Sequence, residues 1–221
     1  GFAKEFITNL KADVHDMITD QHSGEHYDGL DRERDTIEEV QSILQLFPDL
    51  IQKRKTTTWG TVLTYNVDID EDEVHHEWID NDNDDDRDYP IQCLVDVRDN
   101  EGKSYLNIKA VPFIHLFAQL ALEYKTFEDD QRGGLFIEDG VGDNTFTNLV
   151  VSFSNGNDQG HRADEVRTNE LIQLRQMNLL TVADVREFGL FSYLLSHKHF
   201  PHKSMTFLIE WSPDTVSYTH L

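Results

Sequence analysis

The sequence predicts a mainly α-helical fold, a solenoid of irregular helix pairs interrupted by one long acidic loop. Three observations support this fold class. Apolar residues recur at three- and four-residue steps in several separate segments, which is the period of one helix face. No segment has both the length and the two-residue alternation of a half-buried strand. Short apolar pieces also recur along the chain, each before a longer apolar helix, as in stacked repeats.

Residues 1–35 are predicted to form an N-terminal helix and a loop, and a capping repeat is one interpretation of this region. The apolar positions of the helix are Phe6, Ile7, Leu10, Val14, Met17 and Ile18. Residues 21–34 are polar and contain glycine, which is typical of a loop. A second helix is predicted from Thr36, because Thr36 and Glu39 have the spacing of a capping box. Pro48 is expected to end it.

The next region contains the long loop. Residues 56–67 are rich in β-branched and aromatic types and predict a short hairpin or an extended finger. Residues 68–88 hold twelve acidic side chains and one arginine. So few apolar groups cannot offset the entropy lost on ordering, so a disordered acidic insert is predicted at about 66–88.

Three more helices are predicted in the second half of the chain. One begins at Val111, with Pro112 in its first turn, where no backbone donor is needed. The next covers 169–180, with Asn169 as its N-cap. The last covers residues 204–211 and ends before a proline. Shorter apolar pieces lie at 91–97, 146–153 and 191–195.

The short pieces share one pattern, in which a bulky apolar residue precedes a leucine by three positions. The pattern is present at residues 89–94 and 144–149, and more weakly at 189–194. It resembles the Thr-Pro-Leu-His-x-Ala motif of ankyrin repeats. That motif is preceded two positions earlier by a glycine, and Gly142 matches this glycine. The sequence also resembles divergent ankyrin-like proteins that are expanded in some unicellular algae. The likeness lies in four blocks, YPI at 89–91, RGGL at 132–135, GDN at 142–144 and FLIEW at 207–211.

The resemblance implies an ankyrin-like repeat array over residues 36–214, which binds proteins on a concave face. The chain departs from the family pattern in spacing and in side chains. Its repeats are more than 33 residues apart, so long insertions are expected between them. Gln92 and Thr147 replace the motif's histidine, and Leu94 and Leu149 replace its alanine. A solenoid of another helix-pair type is the alternative.

The charge of the chain restricts its partners. The formal net charge is −23 at pH 7, which repels nucleic-acid phosphates and anionic membrane surfaces and attracts a basic protein surface. No apolar run is long enough to span a membrane. The single cysteine and the lack of a signal-peptide pattern in GFAKEF favour an intracellular location, in the cytoplasm, with the nucleus also open.

Histidines supply the best candidate metal ligands. His197, His199 and His202 lie within six residues, and imidazole binds zinc, copper and nickel. A solvated loop is the simpler interpretation, because no Cys, Asp or Glu lies beside them. A looser set consists of His15, His22 and His26. The acidic residues 80–84 and 68–72 resemble calcium loops, but they lack the glycine and the bidentate glutamate of an EF-hand.

Other conspicuous residues have structural interpretations. The glycines of 132–134 and 140–142 are expected in turns that need positive φ. His115 is expected to be a satisfied histidine on a packed helix, and Cys93 a buried, inert thiol. Trp59 and Trp78 are candidate contact residues for a protein partner, since tryptophan is enriched in binding hot spots, and packing in the core or a place in a flexible loop is the alternative for both.

The sequence therefore predicts a non-catalytic protein-interaction module of ankyrin-like type, whose partner carries a basic surface. No catalytic residue and no cofactor is expected, because the common nucleophile, zinc-protease and kinase motifs are missing. The alternative is a metal-binding protein or metal-dependent hydrolase that uses His197, His199 and His202. The oligomeric state is not predicted. The tail 215–221 is expected to be artefactual, because its sequence resembles a translated sequencing adapter.

Overall fold

The computed structural model describes residues 2–22, 27–55, 88–98, 103–139, 142–152, 159–188, 190 and 201–213. Helical residues make up 64% of these described residues, and a two-stranded sheet is present. The predicted mainly α class is therefore confirmed.

The helices follow one another along the chain with one small hairpin between them. They are α1 (Phe2–Ile18), α2 (Ile37–Leu46), α3 (Pro90–Cys93), α4 (Ile114–Tyr124), α5 (Thr145–Val151), α6 (Gln159–Gln176), α7 (Val182–Glu187) and α8 (His202–Trp211). Short 3-10 turns cover Pro48–Ile51, Val111–Phe113 and Asp129–Gly134. Strands β1 (Asp96–Arg98) and β2 (Ser104–Leu106) pair antiparallel, with Asp96 opposite Leu106.

Helix α4 lies at the centre of the hydrophobic core. Its inward face is fully buried, as at Phe117 and Leu120, and it contacts α2, α6 and the turns on either side. Phe113 before it and Phe146 of α5 are equally buried. The start of α4 is as predicted, because the Val111–Phe113 turn leads directly into it.

The capping box predicted at the start of α2 is confirmed. The Glu39 backbone N–H donates to Thr36 Oγ1 at 3.2 Å, and the Thr36 N–H donates to Glu39 Oε2 at 3.0 Å. These two bonds satisfy donors that the first turn of a helix leaves without a partner.

The glycine turn 132–134 holds α4 against its neighbours. Gly133 has φ +68°, and a Cβ there would lie 2.2 Å from the carbonyl oxygen of Ala118 in α4. Only glycine permits this approach. Gly134 and Gly142 also have positive φ, so this part of the prediction for the glycine segments is confirmed, whereas residues 140 and 141 lie outside the described residues.

The prediction for the helix at 169–180 was wrong at its start. Helix α6 begins at Gln159 rather than Asn169, and Asn169 is an exposed residue in its middle. Residues 159–168 are strongly polar, so they show none of the apolar periodicity from which a helix is predicted. The short helix α7 and the β1–β2 hairpin were not predicted either.

The long acidic region leaves and re-enters the described structure at one place. The Lys55 backbone N–H donates to the Asp88 carbonyl oxygen at 2.9 Å. Residues 56–87 lie outside the described residues, and so do the expected finger, most of the expected insert, Trp59 and Trp78.

Candidate interaction surface

The second half of α1 is docked on the rest of the protein. Val14, His15 and Ile18 are buried. The His15 ring donates through Nε2 to the Lys53 carbonyl oxygen at 2.8 Å. Lys11 forms an ion pair with Asp49, with Nζ 2.8 Å from Oδ1. This half of the helix is therefore a structural element.

The first half of α1 exposes its apolar side chains. The exposed fractions are 84% for Phe2, 58% for Phe6, 49% for Ile7 and 37% for Leu10. Phe2, Phe6 and Leu10 are four residues apart, so they form one row along the helix. We call these four residues the α1 apolar face. Contiguous exposed apolar surface of this kind is typical of interaction sites.

The α1 apolar face differs from the other exposed apolar residues. Within the described part of the chain, the remaining large apolar residues with high exposure are Leu46 and Leu122, one on α2 and one on α4. Single exposed leucines are normal on soluble proteins. A group of four on one helix half is not explained in that way.

Carboxylates border one edge of this helix. Glu5, Asp13 and Asp16 are all exposed, and their spacing places them along one side of a helix with 3.6 residues per turn. The two lysines, Lys4 and Lys11, lie on the opposite side. Lys11 is already paired with Asp49. Glu5 therefore lies beside the α1 apolar face, and Asp13 and Asp16 continue the negative edge one to two turns beyond Leu10.

A second notable feature is a set of buried charges on α6. Asp164, Arg167 and Glu170 are 6%, 2% and 3% exposed, and their three-residue spacing places them on one helix face. We call them the polar spine. A buried charge is unfavourable unless it is paired or hydrogen-bonded, so the partners of each one decide its role.

Asp164 caps the start of α8. Its carboxylate accepts hydrogen bonds from the Lys203 N–H at 2.6 Å, from the Ser204 N–H at 3.0 Å and from the Ser204 hydroxyl at 2.6 Å. The first amides of a helix have no intrahelical acceptor, and their dipoles favour a negative charge. Asp164, on the neighbouring helix α6, therefore supplies the acceptor that the first amides of α8 lack.

Arg167 supplies hydrogen-bond donors to carbonyl oxygens at the end of α5. Its Nε donates to the Leu149 carbonyl oxygen at 2.7 Å, and Nη2 donates to the Ser152 carbonyl oxygen. Burial lowers the pKa of the Arg167 guanidinium to about 10, although the nearby negative charge of Asp164 opposes this shift. Arg167 still carries its positive charge at pH 7.

Glu170 binds the start of α4. Its Oε1 accepts from the His115 backbone N–H at 2.6 Å, and its Oε2 lies 3.0 Å from His115 Nδ1. Burial raises the pKa of Glu170, and the hydrogen bonds from His115 partly offset that rise. His115 is therefore a satisfied histidine, as predicted.

Three further carboxylates, those of Asp88, Asp96 and Asp139, influence one another electrostatically beside Lys55, where the acidic region leaves the described structure. Burial raises the pKa of Asp88, and the charges of Asp96 and Asp139 raise it further. Burial also raises the pKa of Asp96, against a hydrogen bond from the Ser104 hydroxyl. Cys93 is buried, and burial raises the pKa of its thiol, which agrees with the predicted inert cysteine.

Of the histidine candidates 197, 199 and 202, the structure describes only the last. His202 is an exposed residue at the start of α8, whereas His197 and His199 lie outside the described residues. In the looser set, His15 binds Lys53 and His22 Nδ1 lies 2.6 Å from Asp20 Oδ1. His26 also lies outside the described residues. In the ranges that the structure describes, no group of three or more His, Cys, Asp or Glu side chains could hold a metal ion.

The polar spine was missed by the sequence analysis. Asp164 and Arg167 lie in a segment without apolar periodicity, so hydrophobic periodicity does not identify that segment as a packed helix. The three-residue spacing of Asp164, Arg167 and Glu170 was the available signal, since it places three charges on one face. The apolar residues of α1 were identified, but their exposure was not.

Comparisons with protein-family models, with curated proteins and with solved structures find no match to this chain. None of the described helices combines the length and the apolar character that a membrane span requires.

Proposed function

We propose that this chain is a non-catalytic protein-interaction module of ankyrin-like type, which binds a partner with a basic surface. The observation that carries the proposal is the α1 apolar face, where Phe2, Phe6, Ile7 and Leu10 are all more than a third exposed. Exposing these side chains to water is unfavourable, and covering them with a partner removes that penalty.

Recurring helix pairs support the ankyrin-like part of the proposal. The short helix α3 precedes the longer α4, and the short helix α5 precedes the longer α6. The apolar residues of the repeated pattern are buried at equivalent places, Ile91 and Leu94 in the first unit and Phe146 and Leu149 in the second. Burial of matching positions is what stacked two-helix units require.

The polar spine supports a non-catalytic role. Asp164, Arg167 and Glu170 are the most conspicuous buried charges of the described structure, and each binds the end of another helix. Their hydrogen bonds explain their burial without any substrate. The charge of the chain, −23, favours a basic partner through long-range attraction. The proposed location is inside the cell, in the cytoplasm or the nucleus, where a single reduced cysteine is stable.

Site-specific crosslinking tests the proposal. A photoreactive phenylalanine analogue is introduced at Phe6, and in a matched control at Leu46, which is 73% exposed on α2. In lysate of the source cell, we expect a defined crosslinked partner from position 6 only. The crosslink should disappear when Leu10 is changed to serine, and it should weaken as salt is raised. Equal labelling from both positions would contradict the proposal.

A further inference from the structure

The α1 apolar face has the geometry of one half of a helix pair. Phe2, Phe6 and Leu10 follow one another at four-residue steps, and such rows form the ridges that pack between the side chains of a second helix. The row is about 12 Å long at 1.5 Å per residue, which corresponds to about two turns of an opposing helix. Its continuation at Val14 and Ile18 is already buried against the body.

The charges beside the row indicate which kind of opposing helix would bind there. Glu5, Asp13 and Asp16 are exposed along the outer edge. Lys11 lies on the opposite side of the helix, bound to Asp49 at 2.8 Å and near the Phe47 ring. Lys4 is the remaining cation of the helix. An opposing helix therefore meets a net negative border, and lysines or arginines beside its apolar stripe complement that border.

We propose that the α1 apolar face binds an amphipathic helix of a protein partner, with lysines or arginines bordering its apolar stripe. The inference rests on the proposed function and names the chemistry of the partner. A second copy of this chain is a poorer occupant, because each copy has a net charge of −23 and presents the same negative edge.

Binding of designed peptides tests the inference. Three labelled peptides of about 18 residues are compared, a length at which isolated helices become stable. The first has a leucine stripe bordered by lysines, the second has the same stripe bordered by glutamates, and the third is a scrambled version of the first. We expect the lysine-bordered helix to bind the full chain at least about tenfold more tightly than either of the others, as measured by fluorescence anisotropy.

Paired variants separate the apolar from the electrostatic contribution. Phe6→Ser with Leu10→Ser should weaken binding of the first peptide by about a hundredfold, because central apolar anchors dominate such interfaces. The matched control changes the two isolated exposed leucines, Leu46→Ser with Leu122→Ser, and should leave binding unchanged. Circular dichroism of each variant verifies that the fold is retained.

Charge reversal tests the border. Glu5→Lys, Asp13→Lys and Asp16→Lys together should weaken binding of the lysine-bordered peptide by about tenfold. The control makes the same charge change at exposed glutamates on α4, α7 and α8, and should have a much smaller effect. Its positions are Glu123, Glu187 and Glu210.

The outcomes distinguish this inference from the proposed function. If the glutamate-bordered peptide binds equally well and still requires Phe6 and Leu10, the partner chemistry is wrong while the binding face stands. If no peptide depends on Phe6 and Leu10, both proposals are wrong for this face. A wild-type dimer that Phe6→Ser with Leu10→Ser dissociates would assign the face to a second copy and overturn the inference.

Discussion

Helices α6 and α1 reverse the usual burial pattern in opposite ways. Helix α6 buries three charged side chains, whereas the first half of α1 exposes four large apolar ones. The buried charges each bind the end of another helix, so the reversal is explained within the molecule. Within the described part of the chain, the exposed apolar residues have no such explanation. The partners of a misplaced side chain, rather than its burial alone, therefore distinguish a stabilising feature from a binding surface.

Substitution of Arg167 is expected to have the largest effect on the stability of the protein. Replacing it with alanine leaves the carbonyl groups of Leu149 and Ser152 without their donor and opens a buried space. We expect Arg167→Ala to lower the free energy of unfolding by about 3–5 kcal/mol in urea denaturation. The control Arg162→Ala removes an exposed pair with Glu33 and should lose less than about 1 kcal/mol. Equal losses would show that the polar spine is not stabilising.

The second effect concerns the cap on α8. Asp164→Ala removes the acceptor for two backbone amides and the Ser204 hydroxyl, and we expect a loss of about 2 kcal/mol. Asp164→Asn retains one acceptor oxygen and should lose less. Thermal unfolding of both variants measures the difference. If the two variants melt at the same temperature, these hydrogen bonds do not account for the buried carboxylate.

The third effect concerns Asp96, one of the carboxylates near Lys55. Because burial raises the pKa of Asp96, its folded-state pKa exceeds its unfolded-state pKa. The wild type therefore loses stability as the pH rises from the unfolded pKa through the folded pKa, and the penalty is complete above that window. Asp96→Asn removes the penalty. We expect the variant to be more stable near pH 7, and the gain to shrink towards about pH 4.

Asp35 provides a control of opposite sign. Burial acts to raise the pKa of Asp35, but hydrogen bonds from Arg34 and from the Asp31 backbone lower it below its ordinary value. Its contribution to stability is therefore present at neutral pH and is lost as the pH falls through the folded pKa. Asp35→Asn should be less stable than the wild type near pH 7. Urea denaturation across the pH range tests both signs.

The smallest expected effect on stability is at the α1 apolar face. Phe6→Ser with Leu10→Ser should lower the free energy of unfolding by no more than about 1 kcal/mol, because Phe6 is more than half exposed and Leu10 more than a third exposed. Ile18→Ala, on the docked half of the same helix, should lose about 2–5 kcal/mol. A large loss from the first pair would show that the face packs within the protein, and would remove the contrast between the two helices.

The sequence predicted the features that depend on local spacing. The capping box at Thr36, the positive φ of Gly133 and the helical turn at Val111 that leads into α4 follow from nearest-neighbour chemistry, and all three are confirmed. The predicted start of α6 was wrong because the inward face of its first half is charged, and apolar periodicity cannot reveal a helix of that kind.

The candidate site was predictable only in part. The spacing of Phe6, Leu10 and Val14 predicted an amphipathic helix, but periodicity does not show which length of a stripe the body covers. That depends on contacts such as Lys11 with Asp49 and His15 with Lys53, between residues far apart in the sequence. The histidine hypothesis at His197 and His199 stays a prediction, because these residues lie outside the described part of the chain.

The backbone contact between Lys55 and Asp88 has a practical consequence. A connection whose two ends already touch can change length at little entropic penalty, since closure entropy grows only slowly with loop length. This position is therefore suited to protein engineering. A reporter domain or a short glycine-serine bridge could replace the residues between the two ends while the helices on either side keep their positions.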